Sequence, residues 1–375
     1  MLPTFHLDTR VKLVAACDPI AVAREQFLKD FAAPVYETAD ALCADAEVDM
    51  VYIASPHQFH AEHVALAAAA GKHVLLEKPM ALTVDECSAM IAHMHSANRA
   101  LVVGHSHSFD APVLRAKAII DSGEVGAVRM IHAMNYTDFL YRARRPEELQ
   151  TEQGGGVIHS QAAHQVDVVR LLAGGLARSV RGYTGQWDAL RPTEGAYSAL
   201  IEFESGAFAS LTYSGYGHYD SDEQMGWIGE LGVARNRDDY GAARRRLGTA
   251  RSMDEEIKLK AARNYGGTAF QPTESASAHQ HFGPVTVSCE RADLRLAADG
   301  VWIYGDGERR FAALPPPGVP RREVIDEVCS VIREGAAARH SGEWARATTE
   351  ASLAILASSH EHREITLLHQ VAWRR

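Results

Sequence analysis

Over the first hundred residues, short apolar runs alternate with stretches of helical length, and this alternation restricts the fold more than any other feature of the chain. The apolar runs are residues 11–17, 48–54, 73–76 and 101–103. Residues 21–31, 59–70 and 84–97 read as the helices between them, the second alanine-rich and stopped by Gly71. Strands that are apolar on both faces and joined through helices pair in parallel and lie between helical layers. Residues 110–122 form one more helix, ended by Gly123, and then the texture changes. Residues 128–136, 196–203 and 207–214 are β-rich, with Ser205-Gly206 marking a tight hairpin, and 285–289, 293–296, 301–304 and 309–314 read as further short strands. Such a run implies a second sheet, largely antiparallel. Residues 217–280 interrupt it with charge-rich, glycine-dotted sequence, an excursion of the length used for functional loops or oligomer contacts. Residues 321–335 and 348–361 return to helix.

At 375 residues the chain has room for two domains, and 46% hydrophobic with 23% charged residues is soluble-globular composition. A net charge of -10 argues against a nucleic-acid partner. Five scattered cysteines without a C-x-x-C pair read as reduced thiols, and the N-terminus lacks a signal-peptide pattern. No apolar run approaches the roughly 20 residues that span a bilayer. The expectation is a cytoplasmic protein with no membrane partner.

A nucleotide-binding sheet opens with strand, G-x-G-x-x-G and helix, and carries an acidic residue for the ribose about 20 residues on. Asp18, in Cys17-Asp18-Pro19, follows an apolar run and suits that acidic position. A carboxylate there accepts ribose hydroxyls and repels a 2′-phosphate, favouring NAD over NADP; the plainer reading is a turn aspartate before proline. Counting back from Asp18 places the glycine loop before Met1. The chain is therefore expected to begin inside the first helix, lacking the first strand and the phosphate cradle. Either the true start lies upstream or the cofactor site has decayed; we favour the former. The expected fold class is α/β: a Rossmann-like parallel-sheet domain over 1–109, N-terminally incomplete, and an α+β domain over 110–375 with a largely antiparallel sheet for substrate binding and oligomerisation.

Ser55-Pro56-His57-x-x-His60, residues 67–71 and Glu77-Lys78-Pro79, in this order and spacing, resemble the glucose–fructose oxidoreductase/inositol dehydrogenase (Gfo/Idh/MocA) family. A second motif, Gly154-Gly155-Gly156-x-x-x-Ser160-x-x-x-His164-x-x-Asp167, is similar to another of its signatures. Helical spacing predicts 160, 164 and 167 on one face, aimed into one cleft. In many relatives the position of Ser160 is an aspartate that works with the histidine, so an Asp–His pair is in doubt here, although Ser160 can still position His164. Gly104-His105-Ser106-His107 also departs from the arginine-bearing version common in the family. Within the family, segments 136–139, 164–167 and 226–230 most resemble dehydrogenases of phthalate-type cis-dihydrodiols.

The resemblance implies a catalytic group of Lys78, His164 and Ser160. It implies cofactor contacts from Asp18, Ser55, Pro56, His60, Glu77, Lys78 and Pro79. Oxidising a secondary alcohol requires a hydride acceptor and a base for the hydroxyl proton. Lys78, near a cationic nicotinamide, should have a lowered pKa, and His164 is the better proton acceptor. Taken singly, a lysine after a strand and a helix-capping histidine are equally ordinary. A phthalate-type substrate is anionic, and Arg142, Arg144 and Arg145 offer forks that match carboxylates, with His159 beside them as a substrate-facing residue. A basic turn paired with Glu147 and Glu148 explains the arginines as well. Among 19 histidines, His93/His95, His105/His107 and His279/His281 form H-x-H pairs without a third ligand at recognisable spacing, so no metal is expected. The loop 215–220 is either a substrate cover or a glycine-shaped connection.

The expected activity is NAD-dependent oxidation of a cyclic cis-diol derived from an aromatic acid, giving the catechol. A sugar or inositol dehydrogenase is the alternative within enzymes, and a non-catalytic binding protein the alternative outside them. A homo-oligomer is expected, because an exposed antiparallel sheet face seeks a partner.

Overall fold

The computed structural model describes residues 1–239, 241–271 and 276–374. Residues 240 and 272–275, within the 217–280 excursion, therefore lie outside the described residues.

The N-terminal part alternates as its pattern predicts. The elements are α1 (Leu2–Leu7), β1 (Ala16–Cys17), α2 (Ala21–Phe31), β2 (Val35–Tyr36), α3 (Ala39–Cys43), β3 (Met50–Ile53), α4 (His60–Ala69), β4 (His73–Leu76), α5 (Val84–Ser96) and β5 (Leu101–Val103). Strands β3, β4 and β5 pair in parallel, with Met50 opposite His73 and Val74 opposite Leu101. Strand β1 pairs in parallel with β2 in a separate two-stranded sheet, and no ladder joins the two sheets among the described residues. The apolar run 11–17 therefore yields a ladder only at Ala16–Cys17, with a partner on one side alone. Thr83 and Glu86 form a reciprocal capping box that starts α5 two residues after the turn of Ala81 and Leu82.

Helix α6 (Ala111–Asp121) leads into β6 (Val128–Tyr136), and a glycine-bearing loop leads on to α7 (Ala163–Ala173). Then come β7 (Ala177–Gly185), β8 (Ala196–Phe203) and β9 (Phe208–Ser214); α8 (Ala242–Leu247) and α9 (Met253–Arg263) in the excursion; and β10 (Val285–Cys289), β11 (Ala292–Ala297), β12 (Gly300–Gly305) and β13 (Arg309–Ala313). Helices α10 (Arg322–Glu334) and α11 (Gly342–Glu361) precede the short β14 (Ile365–Thr366). The strands form one nine-stranded sheet in the order β13-β12-β11-β10-β6-β9-β8-β7-β14, antiparallel except for the β6–β9 pair. The sequence pattern missed β7. A register shift between Ala177 and Ser179 leaves the adjacent Ser179 and Val180 both buried, which breaks the period-2 alternation a strand would show.

One face of this sheet is closed by helices, and Ile131, Ala133, Ile201, Ala209 and Leu211 bury completely there with Val166, Val169 and Ile355. The other face leaves Met130, Leu200 and Phe208 exposed. The tail returns to the first sheet: Val324, Ile325 and Val328 of α10 pack on Leu75, Val102 and Phe109. Ala345 of α11 joins the core beneath β3–β5. No helix among the described residues is long and apolar enough to cross a membrane.

Candidate active site

The carboxyl ends of the parallel strands gather the motif residues, because in a parallel sheet every strand runs into its following loop on the same edge. Asp18 follows β1; its Oδ1 accepts from the Ile20 amide at 2.8 Å, shaping the start of α2. Ser55-Pro56 follow β3, with Ser55 Oγ 2.9 Å from His63 Nδ1. His60 is buried. Its Nε2 lies 3.0 Å from the Ser55 carbonyl oxygen and its Nδ1 3.0 Å from that of Pro79. The expectation that His60 contacts a cofactor is thus replaced by a stapling role, since both ring nitrogens face backbone and join the Ser-Pro turn to the Glu-Lys-Pro turn. Glu77 follows β4 and accepts from the Tyr52 hydroxyl at 2.5 Å. Burial opposes the Glu77 charge, but this hydrogen bond and the nearby Arg321 and Lys78 outweigh it and hold the carboxyl below its usual range.

The glycine turn supplies the opposite wall. Gly154, at φ +84°, sits where a Cβ would fall 2.3 Å from His57 Nε2, and Gly156, at φ +80°, where one would meet the Glu194 carboxylate. Residues 158–162 then take a π-helical turn before α7 begins. Lys78 Nζ donates to the Ser160 carbonyl oxygen at 2.8 Å. The Ser160 hydroxyl donates to the Gly156 carbonyl, so the side chain expected to position His164 caps its own turn instead. Asp167 accepts from Trp344 Nε1 at 2.6 Å, Thr348 Oγ1 at 2.9 Å and the Ser108 hydroxyl, an anchor for α11 and not a partner of His164. His159 is buried against His57, ring centroids 6.5 Å apart, and burial lowers its pKa to about 4.

His164 is buried, and its Nδ1 has no hydrogen-bond partner. Burial first, then Lys78, His107, His105 and Arg321, push its pKa well below the ordinary value, so the ring is neutral. Burial likewise lowers Lys78 to about 8, against the opposing charges of Glu77 and Glu230. His107 meets His164 edge-to-face at a centroid distance of 4.6 Å, and both rings pack on Phe282. Asp110 is shared by His105 Nε2 at 3.1 Å and His107 Nδ1 at 2.7 Å. The histidine pair was visible in the sequence; Asp110, three residues after His107, was the signal that it forms a hydrogen-bonded cluster. No group of three or more His, Cys, Asp or Glu side chains that could hold a metal ion occurs among the described residues.

The three arginines differ. Arg144 donates to the Phe139 carbonyl at 2.8 Å, stacks on the Phe139 ring and lies 3.8 Å from Glu148; burial lowers its pKa to about 10. Arg145 pairs with Glu147 at 3.0 Å and Glu148 at 3.4 Å. Arg142 stacks on Phe139 at 5.2 Å and acts electrostatically on the partly buried Glu230, to which Asn135 donates at 3.2 Å. Sequence reading noted the segment of Glu230 without giving that residue a role. The 215–220 loop lines an open cavity of about 410 Å³ with Tyr136, Tyr141, Trp187 and Arg244.

A lysine at the carboxyl edge of a parallel sheet, facing a neutral imidazole offered by a second sheet domain, defines a nicotinamide-dependent oxidoreductase class. Comparison with known proteins gives the same class. Residues 1–105 match the oxidoreductase family with NAD-binding Rossmann fold (GFO_IDH_MocA), and residues 113–235 match the GFO/IDH/MocA C-terminal domain. The chain belongs to the Gfo/Idh/MocA family of NAD-dependent oxidoreductases. It is 49% identical over 359 residues, covering 95% of this chain and 90% of the relative, to the 1-carboxy-3-chloro-3,4-dihydroxycyclohexa-1,5-diene dehydrogenase of Comamonas testosteroni. An inositol 2-dehydrogenase of Gluconacetobacter diazotrophicus is 33% identical over 205 residues, 54% of this chain and 58% of that one. A crystal structure of a dehydrogenase from Bordetella bronchiseptica superposes with a TM-score of 0.92 at 40% identity, covering 98% of this chain and 95% of that one.

Proposed function

We propose that the protein oxidises a carboxylated cyclohexadiene cis-diol with NAD⁺, the ketone then tautomerising to a catechol. The observation that carries this reading is the Lys78 Nζ–Ser160 carbonyl bond, which holds the amine one helical turn before the neutral His164. The substrate class comes from the carboxylated diol in the name of the Comamonas relative and from Arg142, which forms no salt bridge among the described residues although it acts on the charge of Glu230.

The residues present fit a nicotinamide. Asp18 follows β1 as an acceptor for ribose hydroxyls, Ser55, Pro56 and Glu77-Lys78-Pro79 line the edge of the sheet, and the buried Nδ1 of His164 lacks a partner. NAD⁺, when bound, supplies the hydride acceptor. In our reading the Lys78 ammonium donates to the substrate hydroxyl oxygen, whose proton passes to His164 as the C–H bond gives up its hydride and the carbonyl forms. Loss of a ring proton then restores aromaticity, which drives the conversion. Arg142 receives the substrate carboxylate. The exposed sheet face bearing Met130, Leu200 and Phe208 is the surface through which copies of the chain associate.

Steady-state assays with NAD⁺ and a carboxylated cis-dihydrodiol, beside myo-inositol and common sugars, test the reading. Turnover of the diol with at least about tenfold higher kcat/KM than any polyol supports it. A preference for inositol moves it to the alternative within the family, and absence of turnover on all of them to a binding protein.

A further inference from the structure

Protonating His164 creates a cation where cations already crowd. Lys78, at the end of β4, and Arg321, the residue before α10, both disfavour a charge on the ring; His107 meets it edge-to-face from the segment after β5 with His105 packed behind, while Phe282 closes the apolar side. Three carboxylates act on this cluster. Glu77 acts on Lys78 and His105 but accepts from the Tyr52 hydroxyl. Glu230 influences Lys78 and His107 but is hydrogen-bonded to Asn135. Asp110 is buried and bonded directly to the imidazoles, with Oδ2 2.7 Å from His107 Nδ1. That bond leaves Nε2 as the ring nitrogen of His107 with no partner among the described residues, and the His107 ring lies edge-to-face on His164. Ser160, the polar side chain one turn before His164, is turned away onto Gly156.

We propose that Asp110, acting through His107, is the counter-charge for the proton that His164 takes from substrate, so that these two are positioning residues for the reaction. The substrate O–H bond breaks, the N–H bond forms on His164, and the carboxylate behind His107 stabilises the resulting imidazolium. No charge is created or lost in the protein beyond that proton. The inference rests on His164 acting as the base. It explains why a serine at 160 leaves the site with an anion in reach: the anion arrives from the segment after β5.

The test uses the full chain with Asp110→Asn and His107→Asn, the latter leaving the Asp110–His105 contact in place should the former fail to fold. With the diol and NAD⁺, each variant should lose about 10- to 100-fold in kcat while KM stays within about threefold, the size of a perturbed acid–base step. Ser160→Asp, added to Asp110→Asn, should recover at least about tenfold of that loss by restoring a carboxylate one turn from His164. A second readout needs no turnover. In ¹⁵N-histidine NMR of the cofactor-free chain, His107 should show the Nδ1–H tautomer and lose that preference in Asp110→Asn, with a concurrent shift of the His164 signals. Full activity of both folded variants overturns the inference. So does loss of activity in Asp110→Asn without rescue by Ser160→Asp and with unchanged His164 signals, which marks a purely structural role. If the wild-type chain oxidises no diol, the proposed activity fails, and the NMR coupling still decides whether Asp110 reaches His164.

Discussion

Lys78 and Ser160 are joined across the two domains by a 2.8 Å hydrogen bond from the ammonium to a main-chain carbonyl. The contact depends on the backbone of residue 160, whatever its side chain, and it presents the amine to the cleft beside His164. Lys78→Met should therefore remove the donor to the substrate oxygen while keeping most of the stem's packing. We expect kcat to fall about 10²- to 10⁴-fold, with NADH affinity by fluorescence titration within a few fold of wild type. Activity within threefold of wild type would remove Lys78 from the chemistry.

The pH dependence follows from the same amine. Burial brings Lys78 to about 8, and a cationic nicotinamide beside it pushes in the same direction. His164 is already neutral well below the ordinary imidazole range, so it adds no limb near neutrality. If the ammonium is the working form, kcat/KM is level through pH 6–7 and falls as pH rises past about 8. Lys78→Arg, which stays charged, should flatten that fall even at reduced activity. A profile that instead climbs through this range assigns the free amine as the base and contradicts the division of labour proposed here.

Arg142 carries the prediction for substrate charge. Its neighbours Arg144 and Arg145 already pair with Glu147 and Glu148, whereas Arg142 rests on Phe139 with no salt bridge among the described residues and only an electrostatic influence on Glu230. Arg142→Gln should raise KM for a carboxylated diol about 10- to 100-fold and leave kcat nearly unchanged, the signature of lost ground-state binding. The same variant should be indifferent to a diol lacking the carboxyl group. Equal effects on charged and uncharged diols would show that the arginine shapes the loop and does not read charge.

Much of this fold was legible because burial on both faces of β3, β4 and β5 leaves unbroken apolar runs, and α2, α4 and α5 sit within a residue or so of their predicted bounds. The site was legible where it lies in local motifs: Glu77-Lys78-Pro79 at a strand end and His164 after a glycine turn. It was not legible where local spacing meets a distortion. The π-helical turn at 158–162 shifts Ser160 relative to His164, and Asp167, three residues after His164 within regular α7, is taken by Trp344 of α11, a partner 177 residues away that local spacing does not show. The partners of Asp110 show the other limit. An H-x-H pair reads from sequence as metal ligands or as nothing, and only the coordinates reveal that both rings turn onto one carboxylate.

Asp167 yields the last prediction, one of stability. It is buried and accepts from Trp344, Thr348 and Ser108, tying α7 to α11 and to the segment following β5. Thr348 Oγ1 in turn accepts from Arg170 Nη1 at 2.6 Å, and Arg170 is fully buried. Burial lowers the Arg170 pKa to about 10, with Asp167 and Glu350 the anions opposing that fall. Asp167→Ala thus strands a tryptophan N–H whose acceptor is the Asp167 carboxylate and removes a counter-charge from a buried guanidinium. Each stranded buried donor costs about 1–3 kcal/mol and an uncompensated buried charge somewhat more, so a loss of about 3–5 kcal/mol is expected. In a chain of this size that corresponds to a melting temperature lower by roughly 5–10 °C. Asp167→Asn, which keeps one carbonyl oxygen for the Trp344 N–H, should recover part of the loss. Melts of the two variants without ligand decide the matter: a shift below about 2 °C for Asp167→Ala would mean that the network relaxes around the gap, and that the union of α7 with α11 rests on its apolar contacts and the Arg170 bonds.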